Sequence, residues 1–334
     1  MVSDRTDDEP LDPSHLREIV VAGAGLAATQ TVAALRERGF DGRVVVLGAE
    51  QIAPYDRPPL SKHLLDRREP TWLTDEIGVD LLALADEVHL GTPARGLSLA
   101  SGRPEVLTAD GSFASDALVV ATGAHAVRPP GWEAALTLHT AADAQRLREA
   151  LVPGARLVVI GAGWIGAEVA GVAAAAGVEV VVLEATGAPL AGALGAAVGD
   201  VALRRSPRHG WVPGGHWDGA LRAPAGLVAA LLGTPQEAVE VAPYVFSTQL
   251  GHEIALFGQP HADDEVVLRG DPAGDGWAAL WFRRRSDEVA AILTVDRPRD
   301  VGAARRLFTG ARLPRLDRTV TRDPGRPLRE AVVA

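Results

Sequence analysis

REIVVAGAGLAATQTVAALRERGFDGRVVVLGAE, residues 17–50, decides the fold. Residues 18–22 form an apolar, β-rich run, and Gly23, Gly25 and Ala28 then fit the spacing GxGxxG/A. A helical pattern follows through Arg38, and a second apolar run ends near Glu50. The first glycine makes a tight turn and the second lets the backbone approach a pyrophosphate. A small third residue lets the helix pack closely on the strand. Leu26 and Ala27 complete the turn. The start of the helix favours phosphate charge, and Glu50 stands where an acid takes a ribose hydroxyl. The stretch predicts a strand–turn–helix–strand unit that binds a dinucleotide.

A second stretch, ARLVVIGAGWIGAEVAGVAAAAGVEVVVLEA at 155–185, repeats the pattern. Gly161, Gly163 and Gly166 fit GxGxxG, with Trp164 and Ile165 inside the turn. A small-residue helix and a strand at 178–183 lead to Glu184. An acid there favours a free ribose hydroxyl, hence NADH over NADPH, since it would repel a phosphate. Two such units in one chain point to two dinucleotides, one able to pass hydride to the other.

Length and composition bound the remaining classes. A chain of 334 residues suits two or three domains. No run of about 20 apolar residues suggests a membrane span. The first residues are acidic and polar rather than ordered like a signal peptide, so the expected location is cytoplasmic. There is no cysteine, which excludes a thiol nucleophile, a redox-active CxxC, cysteine-ligated zinc and a protein-held iron–sulfur cluster. A net charge of −10 argues against a nucleic-acid partner. The histidines show no HExxH spacing, no metal site is expected, and no Gly-x-Ser-x-Gly elbow is present. Lys62 is the only lysine. An isolated loop lysine is usually solvated, but this one lies in a motif, RPPLSK.

Further matches follow in order: APYDRPPLSKHLL (53–65), ALVVATGA (117–124), VGDVA (198–202), HWDGA (216–220) and PYVFSTQLG (243–251). Their order resembles that of the FAD-dependent ferredoxin reductases serving bacterial oxygenases, whose relatives include rubredoxin reductases and the apoptosis-inducing factor group. The resemblance covers nearly the whole chain after residue 17. It implies an α/β fold with a Rossmann-like FAD-binding domain of the two-dinucleotide flavoprotein type. A second βαβ NAD-type unit and a C-terminal α+β domain with an antiparallel sheet would follow. The implied boundaries are a flexible arm at 1–16, an FAD domain at 17–130 and 198–250, an NAD-type unit at 131–197 and a C-terminal domain at 251–334.

Carried onto this chain, the resemblance implies that Gly23, Gly25, Ala28 and Glu50 hold the ADP half of FAD. Arg57 and Lys62 would approach the pyrophosphate and the flavin. Thr122 and Gly123 would mark a strand end beside the cofactor, with Arg128 just beyond. Asp200 would accept a bond from the ribityl chain. His216 and Trp217 would start a helix facing the flavin pyrimidine, its dipole favouring the anionic reduced ring. Lys62 would pair with Glu168 and orient the nicotinamide. Where the family has tryptophan, this chain has Phe246.

One departure is large. Between Glu184 and the return motif lie only residues 185–197. Thirteen residues cannot supply the remaining strands of an NADH domain. The chain reads as a family member with an internal deletion there, leaving one βαβ unit with an exposed edge. Hydride transfer needs the two rings within about 3–3.5 Å, and the lost half would fix the nicotinamide. Pro224 inside the expected helix after 216 should break or kink it.

Residues 252–296 read as antiparallel strands, RPRDVGAARRLF as a helix, and the Arg/Pro-rich tail as loose. Trp277, Trp281 and Phe282 are expected in the core. HADDE (261–265) reads as a surface loop. Arg204, Arg205 and Arg208 form one basic cluster and Arg283–Arg285 another. Each is either a solvated face or a docking surface for an acidic [2Fe–2S] ferredoxin. Three functions compete: an NADH-dependent ferredoxin reductase, an FAD protein that has lost the NADH half-reaction and uses another electron source or partner, and a cofactor-free assembly protein.

Overall fold

Residues 18–22 and 43–47 are almost all valine, isoleucine and leucine, the composition of strands covered on both faces. In the computed structural model they are β1 (Glu18–Ala22) and β2 (Arg43–Leu47), joined by helix α1 (Leu26–Glu37). The structure describes residues 13–185, 203–206, 208–213, 217–234, 242–310 and 312–333. The contact pattern divides the chain into two units.

The first unit contains residues 1–55, 72–123 and 220–238. β3 (Glu87–His89) and β4 (Ala117–Val120) complete a parallel sheet in the order β3-β2-β1-β4. That order reverses direction beside β1, the switch point at which such sheets bind dinucleotides. A three-stranded meander, Gly96–Ser98, Glu105–Leu107 and Ser112–Ala114, lies in the chain between β3 and β4. Leu16, Ile19, Val21, Ala28, Leu35, Val44, Val46 and Val119 pack one face, while Val20, Val45, Leu47 and Val106 pack the other. Leu16 belongs to this core although the N-terminal arm was expected to reach residue 16; residues 1–12 of that arm lie outside the described residues.

The second unit contains residues 56–71, 124–219 and 239–334. Its βαβ part is β5 (Arg156–Ile160), helix α4 (Trp164–Ala175) and β6 (Glu179–Leu183), which pair in parallel as a two-stranded sheet. The short helix α2 (Pro59–Lys62) and helix α3 (Ala141–Ala150) pack with it through Leu64, Leu147, Leu151, Val169 and Ala173. The other sheet face is bare: Val158, Ile160, Val181 and Leu183 are 50%, 56%, 42% and 52% exposed. Among the described residues, the sheet of this unit is packed on one face and exposed on the other.

A hairpin, β7 (Leu203–Ser206) and β8 (Gly210–Pro213), follows. The C-terminal sheet has five antiparallel strands: β9 (Tyr244–Gln249), β10 (His252–Gly258), β11 (Glu265–Arg269), β12 (Trp277–Phe282) and β13 (Val289–Val295), in the order β9-β10-β13-β12-β11. Phe282 is fully buried, and Trp277 and Trp281 pack on a smaller apolar cluster of the sheet.

Three expectations need correction. Helix α5 (Trp217–Leu231) runs through Pro224 rather than ending there. Pro224 lies on the buried stripe with Val228 and Ala229, and that burial outweighs one lost backbone bond. The tail is packed, not loose. After helix α6 (Pro298–Leu307), residues Phe308, Leu316, Leu328 and Ala331 enter the core, and helix α7 (Arg318–Arg322) is capped by Asp317. The fully buried Arg269 pairs with Asp300 at 3.0 Å and donates to the carbonyls of Thr321 and Arg326. Last, Arg208 is buried and donates to the carbonyls of Phe308 and Gly310, so it is not part of a basic surface. The side chains of Arg204 and Arg205 lie outside the described residues.

No helix among the described residues is long and apolar enough to cross a membrane.

Candidate functional site

In the first unit the turn after β1 is shaped by Gly23. Its φ is +120°, and a Cβ there would stand 2.0 Å from the Ala121 carbonyl oxygen at the end of β4. No larger residue fits that approach. Gly25 caps α1 without any side-chain bond, and nothing lies within 4 Å of where its Cβ would be. Leu26 and Ala27 open the helix, and no acidic residue sits in its first turn. The helix start is thus without a side-chain cap, the arrangement that receives phosphate oxygens. Ala28 is fully buried against the sheet. Beyond β2, Glu50 accepts a 2.7 Å bond from the Tyr55 hydroxyl. These residues fit the ADP half of a dinucleotide. Thr122 and Gly123, exposed, follow β4 with Gly123 at φ +66°.

The second Gly-rich turn is alike in its chain and unlike in its surroundings. Gly163 caps α4 with open space around it, followed by Trp164 and the exposed Ile165. Gly166 is required, since a Cβ would stand 2.1 Å from the Gly161 carbonyl oxygen. Glu184 accepts a 2.6 Å bond from the Ala162 N–H, tying the end of β6 to the turn. Gly161 itself, the counterpart of Gly23, has nothing within 4 Å of its Cβ position. Where Gly23 meets the strand across the switch point, Gly161 meets none among the described residues.

Also in the second unit, α4 carries Glu168 to a buried cluster. Its side chain is 3% exposed and that of Lys62 is 13% exposed. Lys62 Nζ donates to Glu168 Oε1 at 2.5 Å, Ser61 Oγ donates to Oε2 at 2.5 Å, and Ser247 Oγ donates to Oε1. Gln249 Nε2 donates in turn to Ser247 Oγ at 3.1 Å. Lys62 Nζ also stands 5.1 Å from the centre of the Phe246 ring, within cation–π range. Trp217 opens α5, meets Phe246 edge-on at 6.4 Å, and donates from Nε1 to Asp56 Oδ1 at 2.7 Å. Tyr244 stacks on Phe246 from the same strand.

Thus Lys62 and Glu168 pair as expected, and Phe246 and Trp217 lie in the same cluster. Arg57 is bonded to the His139 carbonyl, and Arg128 is exposed with a bond to Thr137 at 3.3 Å. Asp200 and His216 lie outside the described residues. Arg283 pairs with Asp264 of the HADDE loop, while Arg284 and Arg285 are exposed. Sequence reading missed Ser61, Ser247, Gln249 and Asp56. The signal was present only as the period-two spacing of Ser247 and Gln249, which puts both on one strand face.

Residues 17–210 match the family described as pyridine nucleotide-disulphide oxidoreductase, and residues 244–332 match that described as reductase C-terminal. The chain is similar to the chlorobenzene dioxygenase ferredoxin reductase component of Cupriavidus sp. (strain PS12). The two are 29% identical over an alignment of 386 residues covering 86% of this chain and 92% of the relative. That alignment is longer than the 334-residue chain, so the relative has stretches without counterpart here. The ferredoxin–NAD(+) reductase subunit of the benzene 1,2-dioxygenase system of Pseudomonas putida is 35% identical over 193 residues, covering 54% of this chain and 45% of the relative. The crystal structure of Fdr9 is 33% identical, with a TM-score of 0.82, covering 94% of this chain and 99% of that one.

Proposed function

The chain belongs to the pyridine nucleotide-disulphide oxidoreductase family, and we propose that it is an FAD-dependent NADH:ferredoxin reductase of the kind that serves oxygenases. The observation that carries this reading is the buried pair between Lys62, at the end of α2, and Glu168 on α4, the helix that begins at the second Gly-rich turn. A buried cation beside an aromatic ring supports this reading.

FAD, when bound, supplies the capacity to take hydride as an electron pair and release electrons singly. The residues bind, orient and tune. The Gly23–Ala28 turn and the start of α1 hold the diphosphate, and Glu50 takes a ribose hydroxyl. Lys62 holds positive charge at a fixed point, and Phe246 and Trp217 offer apolar walls that exclude water. Gly161–Gly166 and Glu184 bind the pyrophosphate and ribose of NADH. No side chain need move a proton. The electron acceptor is a [2Fe–2S] ferredoxin, steered by charge to the reductase surface.

A second reading has its own support. Among the described residues nothing lies within 4 Å of the Gly161 Cβ position, and the β5–β6 sheet is exposed on one face. Under this reading FAD remains and NADH no longer delivers hydride. An anaerobic visible spectrum separates the two. Rapid bleaching of the flavin bands on adding NADH, followed by reduction of an added ferredoxin, is expected of the reductase. Flavin bands that persist through excess NADH reject it and leave the second reading. A protein without flavin bands rejects both.

A further inference from the structure

Lysine has a long stem whose ammonium normally follows the solvent, so a fixed Lys62 needs something to hold it. Glu168 provides the charge, but a glutamate side chain on a helix also has rotamers to choose among. Its two oxygens are held separately. Ser61 takes Oε2 from α2, the segment that also bears Lys62, and so cannot fix the pair relative to the sheet. Ser247 reaches Oε1 from β9 and is 1% exposed. Its hydroxyl has one proton. Because the Gln249 amide donates to that oxygen, the proton is turned toward Glu168.

We propose that Ser247, oriented by Gln249, is the positioning residue that fixes Glu168 and through it holds the Lys62 ammonium over the Phe246 ring. This rests on the reading of Lys62 as a working cation in the reductase. It adds a residue of the C-terminal sheet to the positioning of that group.

Lys62, as the only lysine, can be followed alone. The purified protein is acylated with an N-hydroxysuccinimide ester without NADH, and the peptide holding residue 62 is quantified by mass spectrometry. Ser247→Ala should acylate Lys62 about fivefold faster than the parent, and Ser247→Thr, which keeps the hydroxyl, should return to the parent rate. An unchanged rate in Ser247→Ala overturns the proposal. So does a rate raised equally in Ser247→Thr, since the hydroxyl would then not be the cause. Should Ser247→Ala fail to fold, Ser247→Cys keeps the volume with a weaker donor, and the same criteria apply. The labelling uses neither NADH nor ferredoxin. A parent protein that NADH does not bleach would therefore reject the reductase reading while leaving this measurement decisive.

Discussion

Lys62 and Glu168, 106 residues apart in the chain, meet at 2.5 Å in a pocket where the carboxylate is 3% exposed. A charge so buried is tolerated only when paired and fully bonded. Here one ammonium and two hydroxyls share it. The pair is therefore strongly coupled, and its parts cannot be removed one at a time without cost.

Lys62→Met should destabilise the protein by about 3 kcal/mol, because it strands a buried carboxylate. Lys62→Met with Glu168→Gln should lose less than the first change alone, since the second removes the stranded charge. Urea unfolding of the four proteins in the cycle measures the coupling. Additive losses would contradict the pairing.

Gly23→Ala places a methyl group 2.0 Å from the Ala121 carbonyl oxygen in a backbone of φ +120°. The β1 turn must then shift, and phosphate binding with it. The variant should purify with little flavin, read from the ratio of visible to ultraviolet absorbance. Flavin retained at the parent level would show that the turn tolerates displacement.

Val45→Ala and Val158→Ala remove the same atoms from corresponding kinds of strand. Val45 is 1% exposed and Val158 is 50% exposed. The first should cost about 2 kcal/mol through lost burial and the cavity left. The second should stay within about 0.5 kcal/mol. Equal costs in thermal unfolding would mean that the outer face of β5 is covered in solution.

Asp116 accepts the N–H groups of Arg17 and Glu18 at 2.8 and 2.9 Å and pairs with Arg103. The bond from Arg17 N–H, then those from Glu18 and Arg103, hold its carboxyl below the ordinary aspartate value despite some burial. A lowered native value means that the ionised form stabilises the fold above the unfolded-state value of about 3.9. That contribution disappears as pH falls through the lower native value. Asp116→Asn should cost roughly 1 kcal/mol at pH 7, allowing for its partial exposure. The difference from the parent should close as pH falls below about 4. A difference constant from pH 7 to 3 would exclude the charge as its source.

Much of the fold could be read directly from local pattern. The runs at 18–22, 43–47, 156–160 and 179–183 became strands, and both Gly-rich turns open helices. The errors came where distant packing overrides local signals. The tail looked loose because it is rich in arginine and proline, but Leu316, Leu328 and Ala331 enter the core. Arg208 looked like surface charge, yet Phe308 and Gly310 offer it carbonyls about a hundred residues away. Pro224 was expected to break or kink its helix, and the helix continues through it with Pro224 and Val228 buried.

The sequence by itself determined the two βαβ units, their Gly-rich turns, the acids at Glu50 and Glu184 and the short connection after Glu184. These are encoded within some 30 residues, where backbone sterics and side-chain period act directly. Only the tertiary structure decided that Ser61 and Ser247 share Glu168 with Lys62, and that Gly23 faces a neighbouring strand while Gly161, among the described residues, faces none. A hydrogen bond or a collision depends on distance in space, and residues far apart in the chain acquire that distance only when the sheets and helices between them pack.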